Sequence, residues 1–295
     1  MTSTFIHFAV ASCIVLQTTT AFFLSPLPST VYTTTTTTHI NRSPPLNMSS
    51  SSNKNTNALL LSKIHQLTID GPHRLILASQ SPRRREILDM MGLNNKYTVT
   101  FSPLDEEALQ IELRERDTPI PPMDYARKLA ESKAYALAED MMKKEGGETY
   151  DHESSLILGS DTIVDKDGSI LEKPKSEDDA RRMLEMLSGS WHEVHTGVAL
   201  YRMTHKDSHQ NAIELISSFT ETAKVKFCSL TSQDIDAYVQ TGEPMDKAGS
   251  YGIQGIGGQM VERMDGDFFA VMGLPMHRLS QELAKALWNI VGEYM

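Results

Sequence analysis

The stretch LILASQSPRRREIL, residues 75–88, decides the reading of this chain. Leu75 to Ala78 form a short apolar run, the pattern of a buried strand, and a strand over 74–79 is expected. Ser81 is a favourable N-cap residue and Pro82 suits the first helical position, so a helix over 81–91 should follow directly. Free backbone N–H groups and the positive end of the helix dipole gather at such a start. Arg83 and Arg84 add two guanidinium groups there, which makes a site suited to a polyanion such as a nucleotide phosphate tail. A solvated basic helix start is the plainer alternative. Its place at the end of an apolar strand favours a ligand, because α/β folds bind at strand ends.

Working outward, the chain has 295 residues, and its first 69 differ in composition from the rest. They hold no Asp or Glu, three basic residues (Arg42, Lys54, Lys63), a threonine run from Thr33 to Thr38 and many serines. The apolar run Phe5 to Leu16 has the length of a signal-peptide core rather than of a membrane span. An apolar start, a junction at Ala21-Phe22 and a hydroxyl-rich sequel resemble the two-part presequence of plastid precursors in algae with secondary plastids. A plastid address is therefore expected, with a cytoplasmic product starting at Met48 as the alternative. Residues 70–295 are read as one domain, large enough to bury a real core. Of the 28 basic residues in the chain, 25 fall in this part against 38 acidic ones, a net charge of −13. That balance argues against general binding to nucleic acid or to an anionic membrane, though not against a small anion in a local basic pocket. With only Cys13 and Cys228, no disulfide framework or cysteine zinc site is expected.

Helical spacing over 124–143 sets Ala126, Leu129, Ala130, Lys133, Ala134 and Leu137 on one face. Residues 155–159 and 162–164 read as a strand pair or one bent strand, followed by a hairpin turn at Asp167-Gly168. A helix over 176–187, long strands over 193–202 and 213–227, a helix over 231–240, a strand over 259–264 and a terminal helix from Pro275 complete the pass. Strands interleave with helices, yet sequential long strands imply antiparallel pairing, so an α/β fold with a mixed sheet is expected.

Three segments offer further chemistry. In LGSDTIV, Asp161 follows an apolar run, where a carboxylate needs a metal, a cation or hydrogen bonds; a lone aspartate more often caps a turn. In LEKP, Lys173 sits just beyond a hairpin strand, weak evidence by itself. DKAGSYGIQGIGG, residues 246–258, holds five glycines, which let backbone approach a ligand closely, and Gln254 offers an amide to a base edge. A flexible surface loop is the competing account. Phosphate loops ending in Gly-Lys-Ser or Gly-Lys-Thr, dinucleotide fingerprints and nucleophile elbows are absent from the sequence. His192 and His195 are too close for a zincin pair and would face opposite sides of a strand, so both read as structural.

Taken in order, LASQSPRRREIL, the Asp105-Glu106 pair, LAESKA, SDTIV, LEKP, LSGSWHEVHTGVAL, YVQTGEPMDKAGSYGIQGIGG and VMGLP resemble the Maf family of nucleoside triphosphate pyrophosphatases. The resemblance implies a Maf/ITPase-like domain with a cleft between two lobes, often a homodimer. It implies hydrolysis of the α–β bond of a nucleoside triphosphate with a divalent cation, Mg or Mn. Ser79, Arg83, Arg84 and Lys173 would then hold the phosphates. Asp161 would take a proton from water, and Glu106 with Asp161 would position the metal. Arg83, Thr162 and Gln254 would set base preference, and Gln254 places the chain with the dTTP/UTP branch. A 7-methyl-GTP pyrophosphatase and a non-catalytic nucleotide-binding regulator of cell division are the alternatives this resemblance leaves.

Overall fold

The apolar run at 75–77 lies in strand β1 (His73–Leu77), which pairs in parallel with β2 (Tyr97–Val99) on one side and with β3 (Ser154–Lys166) on the other. The structure is a computed structural model that describes residues 59–67, 73–144, 154–204 and 212–292. Beyond β3 the sheet turns antiparallel through β5 (Trp191–Thr204), β6 (Ala212–Phe227) and β7 (Val261–Asp265), while β4 (Ser169–Leu171) forms a hairpin with β3. The strand order is β2-β1-β3-β5-β6-β7. This is the mixed sheet expected. The split strand at 155–164 is one strand, and Asp167, at φ 52°, makes its hairpin with Gly168.

Side-chain alternation sends the two faces of the central strands to different helices. Leu75, Leu77, Leu156 and Leu158 pack with α1 (Pro82–Leu88) and with Leu279, Leu283 and Leu287 of α7 (Met276–Gly292). Ile76 and Ile157 face α3 (Pro122–Lys144) through Ala134, Leu137 and Ala138. A separate core forms at the far ends of the long strands. There Val164, Val225 and Phe227 meet α4 (Glu177–Leu187) and α5 (Ser232–Gln240). Strands β3, β5 and β6 contribute to this core and to the one beneath α1 and α7.

Several expectations are corrected. The helix over 81–91 is α-helical only to Leu88, and Gly92, at φ 79°, ends a wider turn over Asp89–Leu93. Ser81 occupies the N-cap position without a capping side-chain bond; its N–H instead donates to the Ser79 hydroxyl at 3.2 Å. Two helices, α2 (Glu106–Arg114) and α6 (Phe268–Met272), were not anticipated. Leu60 and Leu67, within the expected leader, bury in the same core as Leu75. The rest of the expected presequence lies outside the described residues.

Helix α3 comes unusually near the sheet. A Cβ on Gly159 would lie 2.3 Å from the Ala130 carbonyl oxygen, and one on Gly197 would lie 2.3 Å from that of Ala126. Only glycine permits this backbone-to-backbone approach. Gly197→Ala should lower stability by about 1–3 kcal/mol through overpacking, read as a lower urea midpoint. A midpoint equal to that of the wild type would show that the helix can move off the sheet without cost.

Candidate active site

Strand β3 has a gap along one edge. Its first residues pair with β1 as far as Leu158, its last ones pair with β4 from Val164, and between them residues 159–163 pair only with β5. The gap lets side chains from both faces of β3 reach one cavity of about 360 Å³. Its wall includes Ser79, Arg83, Arg84, Glu106, Asp161, Thr162, Lys173 and Gln254, so all of the anticipated site residues converge.

The two arginines do different things. Arg84 turns inward and is 9 % exposed. It donates to the Gly273 carbonyl (3.0 Å), the Ser79 hydroxyl (2.8 Å) and the Thr162 hydroxyl (3.4 Å). Thr162 bonds in turn to Thr196 at 2.9 Å, and Thr196 donates to the Ala270 carbonyl at 2.7 Å, so Thr162 is the donor in the first of these. This chain of donors fixes the guanidinium in one orientation. Burial lowers the Arg84 pKa and nearby Asp161 counters the shift; a guanidinium stays charged under such conditions. Ser79 accepts from Arg84 and from the Ser81 N–H, and among the described residues its own hydroxyl proton has no acceptor. Arg83 points the other way, to Asp246, with one bond to the carboxylate (2.7 Å) and one to the carbonyl (3.1 Å).

Sequence reasoning missed the central group. Lys133 is 6 % exposed, and its Nζ lies 2.6 Å from Asp161 Oδ1 and 2.8 Å from Glu106 Oε2. The close approach of α3 at Gly159 puts it there, since Ala130 and Ala134 on either side of Lys133 touch that glycine. The signal was in the sequence: a lysine within an otherwise apolar helical stripe. Glu106 is brought in by the start of α2, where Asp105 caps the helix by accepting from the Ala108 N–H at 3.0 Å. The preceding loop is tied to α3 by the Ser102 hydroxyl, which donates to the Lys133 carbonyl at 2.8 Å. Lys173 is exposed and has no charged partner among the described residues, as suits a cation awaiting an anion. Asp246 and Lys247 also line the cavity and were not anticipated.

His192 and His195 do face opposite sides of β5. His195 joins Asp165 and Glu193, the three offering ligand-type atoms within 4.8 Å of one another, but none of them lines the cavity. His192 packs edge-on against Phe227 and bonds through Nε2 to the Tyr251 hydroxyl at 2.9 Å, supporting the cavity wall from behind. Burial, reinforced by nearby Lys166, lowers its pKa from 6.5 to about 4. The unfolded chain therefore takes up a proton that the folded protein refuses, and stability is lost as pH falls from 6.5 toward 4. The loss should be on the order of 3 kcal/mol in urea unfolding at successive pH values, and His192→Phe should remove that part of the slope. Identical slopes for the two proteins would mean that His192 protonates freely in place.

The family model described as Maf-like protein matches residues 74–286. A dTTP/UTP pyrophosphatase of Halalkalibacterium halodurans is 44% identical over 209 residues, covering 71% of this chain and 94% of that protein. One of Acetivibrio thermocellus is 43% identical over 210 residues, covering 71% and 94%. The human probable bifunctional dTTP/UTP pyrophosphatase/methyltransferase protein is 41% identical over 212 residues, 72% of this chain and 32% of that longer protein. The matched span takes in all seven strands, β1 from Arg74 on, and the whole wall of the cavity, and the chain belongs to the Maf-like protein family.

Proposed function

We propose that this cleft hydrolyses the α–β phosphoanhydride of nucleoside triphosphates, with dTTP and UTP preferred, giving nucleoside monophosphate and pyrophosphate. The convergence of Arg84, Lys173, Glu106, Asp161 and Gln254 on one cavity carries the reading. Relatives named dTTP/UTP pyrophosphatase, matched over most of their length, support the choice of substrate.

The chemistry follows from the parts. Phosphoryl transfer needs charge neutralisation and alignment more than covalent help. Arg84, held by three groups of the protein, and Lys173, which has no charged partner among the described residues, supply fixed positive charge for the phosphate chain, and the Ser79 hydroxyl offers it a donor. Asp161 accepts the proton of the attacking water, its second oxygen being left by Lys133, which engages Oδ1. The departing pyrophosphate is stabilised by the same cations. Glu106 and Asp161 fit a divalent cation: both line the one cavity and turn toward a shared ammonium at 2.8 and 2.6 Å, and carboxylates are the donors that Mg or Mn favours. Bound there, the ion would neutralise and orient the phosphates. Gln254, exposed on the cavity wall, presents an amide to the base, while Arg83 is steered toward the same loop by Asp246. The acid-free leader supports delivery of the protein to a plastid.

Asp161→Asn should cut pyrophosphate release from dTTP and UTP by at least ~100-fold while nucleotide binding by calorimetry persists, as loss of a general base requires. Retained turnover in that variant would show that another group activates the water. Turnover of 7-methyl-GTP without dTTP or UTP in the same panel would overturn the base assignment.

A further inference from the structure

The glycines of residues 246–258 do not border empty space. A Cβ on Gly255 would lie 2.5 and 2.6 Å from the two carboxylate oxygens of Glu243. One on Gly257 would lie 2.6 Å from the Tyr238 hydroxyl, and one on Gly252 would lie 2.6 Å from Lys247 Cε and 3.2 Å from Glu243 Oε1. Three of the five glycines, Gly252, Gly255 and Gly257, are thus packed against protein groups as well as against any ligand, and Gly252 also lines the cavity.

Glu243 is a post for this loop. Its Oε2 accepts from the Ile256 N–H at 2.9 Å, and its Oε1 accepts from the Gly257 N–H at 3.1 Å and from the Tyr238 hydroxyl at 2.9 Å. The Tyr238 oxygen in turn accepts from the Gly252 N–H at 3.2 Å. Backbone on both sides of Gln254 therefore hangs on a single carboxylate, directly at 256 and 257 and through one phenol at 252. Burial alone would raise the Glu243 pKa, but the two N–H groups, the phenol and Lys247 outweigh it and hold it below the ordinary value, so the post stays charged. Glu243 itself is not part of the cavity wall. It opens the short turn Glu243–Asp246, whose last residue grips Arg83. Two of the three groups read above as setting base preference, Gln254 and Arg83, are thus referred to one turn of the chain.

We propose that Glu243 is a positioning residue for base preference, holding the Gln254 loop at the height where the amide meets the base. The proposal rests on the reading of Gln254 as the base sensor, and it adds what fixes that sensor in place. It also separates two effects: loosening the loop should weaken selection of the base while leaving the groups around Asp161 where they are.

The test is a double-mutant cycle in the full-length protein with Glu243→Gln, Gln254→Ala and the pair, measuring kcat and KM for dTTP and GTP. Glutamine keeps the shape of Glu243 but turns an NH2 group toward one of the two backbone N–H donors. The single variant should raise KM for dTTP roughly tenfold and narrow the preference for dTTP over GTP, as expected when a backbone donor loses its acceptor. In the Gln254→Ala background the same change should do little more, because the two residues act as one unit. Amide exchange at 252, 256 and 257 should quicken in Glu243→Gln. Should that variant fail to fold, Tyr238→Phe, which removes one bond to the post and one to Gly252, takes its place in the cycle. Additive effects, or a fall in kcat with selectivity unchanged, would overturn the proposal and leave Glu243 a purely structural anchor. A wild-type protein with no preference for dTTP over GTP would overturn the base reading itself, and this proposal with it.

Discussion

An almost fully buried ammonium stands between two carboxylates, and much of the fold is arranged to put it there. Burying the charge of Lys133 is costly unless it is paired at close range, and Asp161 and Glu106 pair it at 2.6 and 2.8 Å. The pairing in turn requires α3 to lie nearer the sheet than any side chain would permit, so Gly159 and Gly197 give up their Cβ atoms. Gly197 faces Asp161 across the β3–β5 ladder, so the helix closes on the sheet at the carboxylate itself. Chain packing and site electrostatics are here one constraint. Helix α2 joins it from the other side, because the Ser102 hydroxyl is bonded to the carbonyl of the same lysine.

The second organising feature is the interrupted edge of β3. A fully paired strand would seal its faces from one another. With β1 ending at Leu158 and β4 starting opposite Val164, residues 159–163 open on a slot. Asp161 reaches this slot from the α3 face, while Thr162 and Arg84 reach it from the face that carries α1 and Gly273. Cations and carboxylates can then surround one ligand without pairing off completely. Arg84 is held by neutral oxygens and Lys173 has no charged partner among the described residues, so both keep their charge for an anion. Arg83 is engaged by Asp246, as Lys247 is, and Lys133 by Asp161 and Glu106.

Sequence patterns carried most of this and missed the rest for identifiable reasons. The strand at 75–77, the mixed sheet and the convergence of eight site residues were legible, because local apolar periodicity and the motif order report them directly. Lys133 was legible as an anomaly, a charge in an apolar stripe, but its partners come from β3 and α2, which only the tertiary fold supplies. The glycine loop was legible in part. Composition shows that something approaches its backbone, but not whether that is a nucleotide or the carboxylate of Glu243 thirteen and fourteen residues upstream of the N–H groups it holds. The short helices α2 and α6 have too few residues to show a period, and Leu60 and Leu67 lie in a segment whose serine-rich surroundings hide two core positions.

The site turns on Lys133 joining Asp161 and Glu106 into one unit. The most direct test is Lys133→Met, which keeps the length and apolar stem of the side chain and deletes the charge. Steady-state pyrophosphate release from dTTP, alongside a thermal melt to establish folding, gives the result. The variant should remain folded while its kcat/KM falls by about 100-fold or more, the scale set by misplacing a general base. A folded Lys133→Met protein with kcat/KM close to that of the wild type would contradict this role.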